Sequence, residues 1–432
     1  MVDANDRLTV PPGEPQYTLR RVWLDHETEE RYYYGLANEA LWPLCHVAFQ
    51  RPAFRLSDWQ SYQRANQIFA DAVIEEADGG AAVVFIQDYH FALLPRILKR
   101  RNPNLTVAQF WHIPWPNRET FRAFPWKEEL LDGLLGNDLL GFHLGYHCVN
   151  FLDTVDCALE AMADREHNNI RYGGTLTRVR PFPISIDFDR HIQQADDPSV
   201  YRQMDWWRRE LGGGYQIGIG IDRADYTKGI PERLLAVDRF LETHPEYRGR
   251  LVFLQIAVPS RTQIGSYQRL NQEIDGVAAE INDRWGDSRW RPVRICKRHL
   301  PEIDMMALHR LADFCMVTSL HDGMNLVAKE FVASRNDESG VLVLSTFTGA
   351  ARELTSALQV NPFSADQMAD AIWRALTMAS AEQGARMQRL RKTVRENNVY
   401  RWAVEIMGAA LEVADSHVFE SREDPAAVVS VT

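Results

Sequence analysis

From about residue 58 onward, short apolar runs alternate with longer stretches in which apolar residues recur every three to four positions. The short runs, at 82–87, 106–112, 138–142, 216–221, 250–257, 293–297, 314–318 and 341–345, predict buried strands. The longer stretches, at 58–76, 231–243, 264–285, 324–334 and 365–378, predict amphipathic helices, and 381–414 reads as one long final helix. Continuous apolar strands separated by such helices imply parallel sheets covered on both faces. The alternation weakens over 181–190 and resumes at Gln216, so the domain junction is expected there, with domains at 1–188 and 189–397. Two doubly wound domains are then expected to face each other. Ligands would bind in the cleft between them, at the C-terminal ends of the strands. Periodicity fades after residue 415, and 415–432 reads as a loose tail.

Composition narrows the class. The chain has 432 residues, 45% hydrophobic and 25% charged, which fits a soluble globular protein. Its net charge of −11 argues against a broad nucleic-acid surface. Five scattered cysteines without C-x-x-C spacing fit a reduced cytoplasm better than a disulfide scaffold or a zinc site. The polar N-terminus lacks a signal pattern, and no apolar run reaches membrane-span length. The chain opens on this polar segment and then on 17–24, which reads as a later strand. The first strand of a doubly wound sheet, with its glycine-rich turn, is expected to be missing.

Several segments place chemistry at predicted strand ends. After the strand at 314–318 come Asp322, Gly323, Met324, Asn325, Leu326 and Val327, with Glu330 about two turns along. A turn leading into a helix N-terminus offers free N–H groups to an anion, and flanking carboxylates can grip hydroxyls. The plain alternative is a capped helix with Asp322 as its cap. After 216–221, Arg223 and Lys228 can converge on a diphosphate, or both can be ordinary solvated cations. Asp88 and His112 close the strands at 82–87 and 106–112, where each is as readily a cap or a core residue. Tyr33 and Trp42 place aromatics near Gly and Pro turns, and Arg261 follows 250–257, placed to enter the cleft. His143 and His147, four apart on an expected helix, lack the acid of a zinc motif, and a metal-free site is expected.

Taken together, these segments resemble the trehalose-6-phosphate synthase family, retaining glycosyltransferases with two facing Rossmann-like domains of the GT-B type. The resemblance runs from about residue 17 to residue 414. It rests on Asn38-Glu39-Ala40-Leu41-Trp42-Pro43, Gln87-Asp88-Tyr89-His90, His112-Ile113-Pro114, Asp222-Arg223-Ala224-Asp225-Tyr226-Thr227-Lys228-Gly229, the segment Asp322 to Glu330, and Phe347-Thr348-Gly349-Ala350-Ala351-Arg352-Glu353-Leu354. It implies transfer of glucose from a nucleotide-glucose (UDP-, ADP- or GDP-glucose) to glucose 6-phosphate, with no cofactor and no metal. It also implies that Arg223 and Lys228 neutralise the donor diphosphate, Glu330 holds the ribose, and Asp322 and His112 hold the transferred glucose. Asp88 would serve the acceptor side, and Tyr33, Trp42 and Arg261 would hold glucose 6-phosphate. The helix at 398–414 is expected to pack back on the first domain. Glucosylglycerol-phosphate synthesis from glycerol 3-phosphate is the nearest alternative, and a non-catalytic or truncated relative is another. The residues leave a homo-oligomer open, and a chain without the first strand is expected to be less active and less stable.

Overall fold

The computed structural model describes residues 6–423 other than 12 and 15, with side chains described to residue 415. The chain divides into two α/β units. Unit 1 comprises residues 1–45, 49–180 and 408 onward, and unit 2 comprises 46–48 and 181–407.

Among the described residues, unit 1 begins with a two-stranded hairpin of β1 (Arg7–Val10) and β2 (Tyr17–Arg20). The strand read at 17–24 is therefore shorter and stands outside the main sheet. Its residues are mostly exposed, and Arg20 pairs with Glu75 and Glu76 on the helix Leu56–Ala77. The main sheet runs β3-β4-β5-β8-β7-β6. Its parallel half is β3 (Val83–Gln87), β4 (Thr106–Phe110) and β5 (Leu139–Phe142). Its other half is a meander of β6 (Met162–Asp164), β7 (Asn169–Tyr172) and β8 (Thr175–Pro181). The meander escapes the sequence pattern because β6 and β7 are short and the burial of all three strands is mixed. Every residue of β4 is buried, which explains its unbroken apolar run.

The segment carrying Tyr33 is helical rather than a set of turns. Residues Glu30–Leu41 form a π-helix that follows the helix His26–Glu29 and leads into the helix Trp42–His46. The wider winding turns Leu36, Ala37, Ala40 and Leu41 into the core while Tyr33 stays partly exposed. Wide turns of this kind concentrate at functional sites.

Unit 2 holds six parallel strands: β9 (Gln216–Arg223), β10 (Leu251–Val258), β11 (Val293–Cys296), β12 (Phe314–Val317), β13 (Val341–Ser345) and β14 (Leu358–Val360). Their order is β11-β10-β9-β12-β13-β14. This is the doubly wound 3-2-1-4-5-6 arrangement, whose chain direction switches between β9 and β12. A crevice opens at such a switch beyond the strand ends, because the two following crossovers leave in opposite directions. The final helical stretch is two helices, Ser380–Glu396 and Val399–Glu423, and the second continues into the segment expected as tail. They break at Asn397 and Asn398, where Asn398 caps the second helix by accepting from the Arg401 N–H at 3.0 Å. Among the described residues, no helix is long and apolar enough to cross a membrane.

Candidate active site

The crevice of unit 2 gathers the turns that follow β9 and β12. Lys228 Nζ donates to Asp322 Oδ2 at 2.5 Å, and both side chains are nearly buried. Burial alone would raise the Asp322 carboxyl. The Lys228 ammonium and the Asn325 amide outweigh it and hold the carboxyl well below its usual range. Asn325 Nδ2 donates to the same oxygen at 3.1 Å, and Ser319 Oγ lies 3.3 Å from it. Asp322 is thus an ionised acceptor with a fixed direction.

Asp322 does not cap the following helix. The cap is Asn325, at φ +79°, whose Oδ1 accepts from the Ala328 N–H at 3.3 Å. Leu326 and Val327 are the first two residues of the helix Leu326–Ser334, so their N–H groups have no partner within it. Gly323 and Met324 form the turn before it. This turn is sewn to the segment after β13 by Asp322 N to Phe347 O (3.1 Å), Gly349 N to Asp322 O (3.1 Å) and Ala350 N to Met324 O (2.8 Å). Gly349 is required there, because a Cβ would stand 2.0 Å from the Gly323 carbonyl oxygen. Glu330 lies on the same helix and is largely buried, which pushes its carboxyl above the usual range against the opposing pull of His191. His321 donates from Nδ1 to the His46 carbonyl at 2.7 Å, so residue 46, early in the chain, braces this turn.

Arg223 is the exposed last residue of β9. Lys228 is supported from below by Arg233, a fully buried guanidinium. Arg233 Nη1 bonds Asp222 (2.6 Å) and Gln255 (2.8 Å), Nε bonds Thr318 Oγ1 (2.9 Å), and Nη2 bonds the Lys228 carbonyl (3.2 Å). Gly220 makes room for it: a Cβ there would sit 2.4 Å from Arg233 Nη1. Arg233 is not among the site residues expected from the sequence. Its signal was available, since it shares a helical face with the buried Ile230, Leu234 and Val237.

Arg261 lies just beyond β10. Its side chain, only 6% exposed, is folded into unit 2, with Nη1 2.5 Å from Tyr267 Oη and 3.3 Å from Asp225 Oδ2. A buried carboxylate on the neighbouring turn attracts it more strongly than open solvent.

In unit 1, Asp88 and His112 follow the adjacent parallel strands β3 and β4. Asp88, at φ +67°, accepts from the N–H groups of Tyr89 (2.9 Å) and His112 (3.1 Å) through Oδ1. His112 Nε2 lies 2.8 Å from Gln87 Oε1, and burial lowers its pKa to about 4, so the ring is neutral at pH 7. Tyr33 stacks on His90 with ring centroids 5.5 Å apart, and the buried Trp42 packs 6.1 Å from Tyr89. Asn38 joins these two pairs: its Nδ2 donates to the Tyr33 carbonyl at 2.7 Å, and its Oδ1 accepts from Tyr89 Oη at 2.9 Å. His143 lies before the helix Gly145–Ala158 rather than on it, and its Nε2 bonds the His112 carbonyl. It therefore shares no helical face with His147. Among the described residues, no group of three or more His, Cys, Asp or Glu is placed to hold a metal.

A family model described as glycosyltransferase family 20 matches residues 4–411. The chain belongs to glycosyltransferase family 20. Within that family it is 40% identical over 391 residues to a bifunctional trehalose-6-phosphate synthase/phosphatase of Thermoproteus tenax, covering 90% of this chain and 53% of the relative. The chain therefore spans about half the length of that relative. A solved structure from E. coli, described as bound with UDP-2-fluoro glucose, superposes with a TM-score of 0.86 at 34% identity and covers 90% of this chain and 85% of its own. A Burkholderia xenovorans UDP-forming alpha,alpha-trehalose-phosphate synthase, solved in complex with glucose-6-phosphate, gives 0.87 at 32% identity, with 91% and 88% covered. The two-unit GT-B fold of this family accounts for the doubly wound sheet of unit 2 and the parallel core of unit 1. The family 20 match takes in the turns of Lys228 and Asp322 and the strand ends of Asp88 and His112 alike.

Proposed function

We propose that the chain transfers glucose from a nucleotide-glucose to glucose 6-phosphate, giving trehalose 6-phosphate with retention at the anomeric carbon. The observation that carries this reading is the Lys228–Asp322 pair at the switch point of unit 2, a cation and a fixed carboxylate beside a helix N-terminus. The UDP-2-fluoro glucose of the E. coli neighbour and the glucose-6-phosphate of the Burkholderia neighbour support the two substrates.

In this reading Arg223 and Lys228 neutralise the donor diphosphate. The backbone of Gly323, Met324, Asn325, Leu326 and Val327 meets its phosphates and sugar, Glu330 holds the ribose, and Asp322 takes hydroxyls of the glucose. His112, neutral at pH 7, hydrogen-bonds a hydroxyl of the glucose without adding charge. Asp88 serves the acceptor hydroxyl, and Tyr33, Trp42 and Arg261 hold the acceptor, Arg261 on its phosphate. The acceptor oxygen bonds to the anomeric carbon on the face from which the diphosphate departs. The bond to the diphosphate oxygen breaks, and that oxygen takes the acceptor's proton. Such a step needs position and charge stabilisation, and no carboxylate nucleophile. Work in the cytoplasm fits the five free cysteines.

The test is product analysis. Incubation with UDP-glucose and glucose 6-phosphate is expected to release UDP and form trehalose 6-phosphate, identified by its α,α linkage in NMR. Lys228→Ala is expected to lower kcat by about two to three orders of magnitude, as when one transition-state charge partner is removed. Formation of another sugar, or an unchanged rate in the variant, would overturn the reading.

A further inference from the structure

Asp225 lies three residues before Lys228, is fully buried, and divides its two oxygens between two turns. Oδ1 accepts from the Thr227 N–H at 3.0 Å and the Thr227 hydroxyl at 2.9 Å, which fixes the turn carrying Lys228. Oδ2 accepts from Tyr267 Oη at 2.9 Å and Arg261 Nη1 at 3.3 Å. Tyr267 is itself buried at the start of the helix Gly265–Trp285, and its ring packs 5.3 Å from Tyr226. One carboxylate therefore joins the turn after β9 to the turn after β10. Both Asp225 and Tyr267 meet Arg261 at Nη1.

A buried carboxylate is costly to desolvate and persists only where donors are aimed at it. Arg261, Lys228 and the Thr227 N–H outweigh the effect of burial and keep Asp225 ionised, its carboxyl below the usual range. Burial and the adjacent carboxylate push the Tyr267 hydroxyl far up, so it remains a donor. Arg261 stands at φ +48°, a left-handed conformation that an arginine keeps only when its surroundings hold it.

We infer that Asp225 and Tyr267 are positioning residues that aim Arg261 at the phosphate of the acceptor sugar, coupling that phosphate site to the turn of Lys228. The inference deepens the function proposed above and rests on its assignment of Arg261 to the acceptor phosphate. Asp225 is fully buried and acts through Arg261, whose Nη1 it holds.

Asp225→Asn gives the role a definite sign. The Thr227 N–H can face only an acceptor, so the amide oxygen takes the Oδ1 place and the amide nitrogen is turned toward Arg261 and Tyr267. Arg261 then meets a donor and leaves its position. Charge alone predicts the opposite, since removing a carboxylate beside Arg261 would tighten phosphate binding.

The experiment measures both KM values and kcat for the full chain with a nucleotide-glucose donor and glucose 6-phosphate. Asp225→Asn is expected to raise the acceptor KM about tenfold or more, with a much smaller change in the donor KM. Tyr267→Phe removes one hydroxyl without a void and is expected to raise the acceptor KM severalfold, which keeps the test open if Asp225→Asn does not fold. In the double variant with Arg261→Ala, Asp225→Asn should add nothing further, since it acts through Arg261. A lowered acceptor KM in Asp225→Asn, equal changes in both KM values, or full additivity would overturn the inference. If Arg261→Ala alone leaves the acceptor KM unchanged, the assignment of Arg261 fails instead, and the two failures are told apart.

Discussion

Asp322 and Glu330 carry the same functional group eight positions apart, and their neighbours set them on opposite sides of the ordinary carboxylate range. Lys228 and Asn325 outweigh burial at Asp322, whereas burial prevails at Glu330. His112 follows the same logic with opposite charge. Its pKa, lowered by burial to about 4, lies below the value of about 6.5 expected in the unfolded chain. Between these values the unfolded state binds the extra proton, so stability falls as pH drops from about 6.5 to about 4 and levels off below that. The contribution is about 3 kcal/mol. Urea unfolding of the wild type and of His112→Gln at pH 7 and pH 4.5 should show a smaller acid loss in the variant; equal losses would count against a neutral buried His112. None of these states can be read from residue type, because the neighbours that set them are distant in the chain. Lys228 and Asp322 are visible in the sequence as separate motifs. Their contact, and the burial of Arg233 beneath them, are not.

At the scale of elements, the parallel strands and their covering helices were legible because full burial leaves an unbroken apolar run and one-sided burial leaves a 3.6-residue period. β14, with three residues, and the meander β6–β8 carried too little of either signal. The π-helix at Glu30–Leu41 leaves no ordinary helical period in the sequence because its winding is wider, and Tyr33 and Trp42 lie within and just beyond it. The turn of Gly323 depends on close backbone contact with Gly349. Gly349→Ala should therefore separate the two turns, raising the donor KM and lowering stability by about 1–3 kcal/mol. Gly276→Ala is the matched control. It lies in the helix Gly265–Trp285 with nothing within 4 Å of the new Cβ, and should be neutral or stabilising by up to about 1 kcal/mol. Thermal unfolding and donor kinetics on both variants check this, and similar behaviour of the two would reject the close-contact argument.

At the scale of the whole molecule, the proposed chemistry assigns the leaving diphosphate to Arg223 and Lys228 rather than to a divalent cation. Adding EDTA to the purified chain should leave the rate of trehalose 6-phosphate formation unchanged, and loss of activity restored by Mg²⁺ would overturn that assignment. The sequence by itself determined the α/β class, the placing of Asp88, His112, Arg223 and Asp322 at strand ends, and the family, because burial periodicity and motif order are written along the chain. Tertiary structure alone decided which of these residues touch. It joined Lys228 to Asp322, made Asn325 the cap instead of Asp322, and drew Arg261 into a buried bond with Asp225 and Tyr267. The reason is that hydrogen bonds and ion pairs depend on distances between side chains far apart in sequence, and only the folded sheet order fixes those distances.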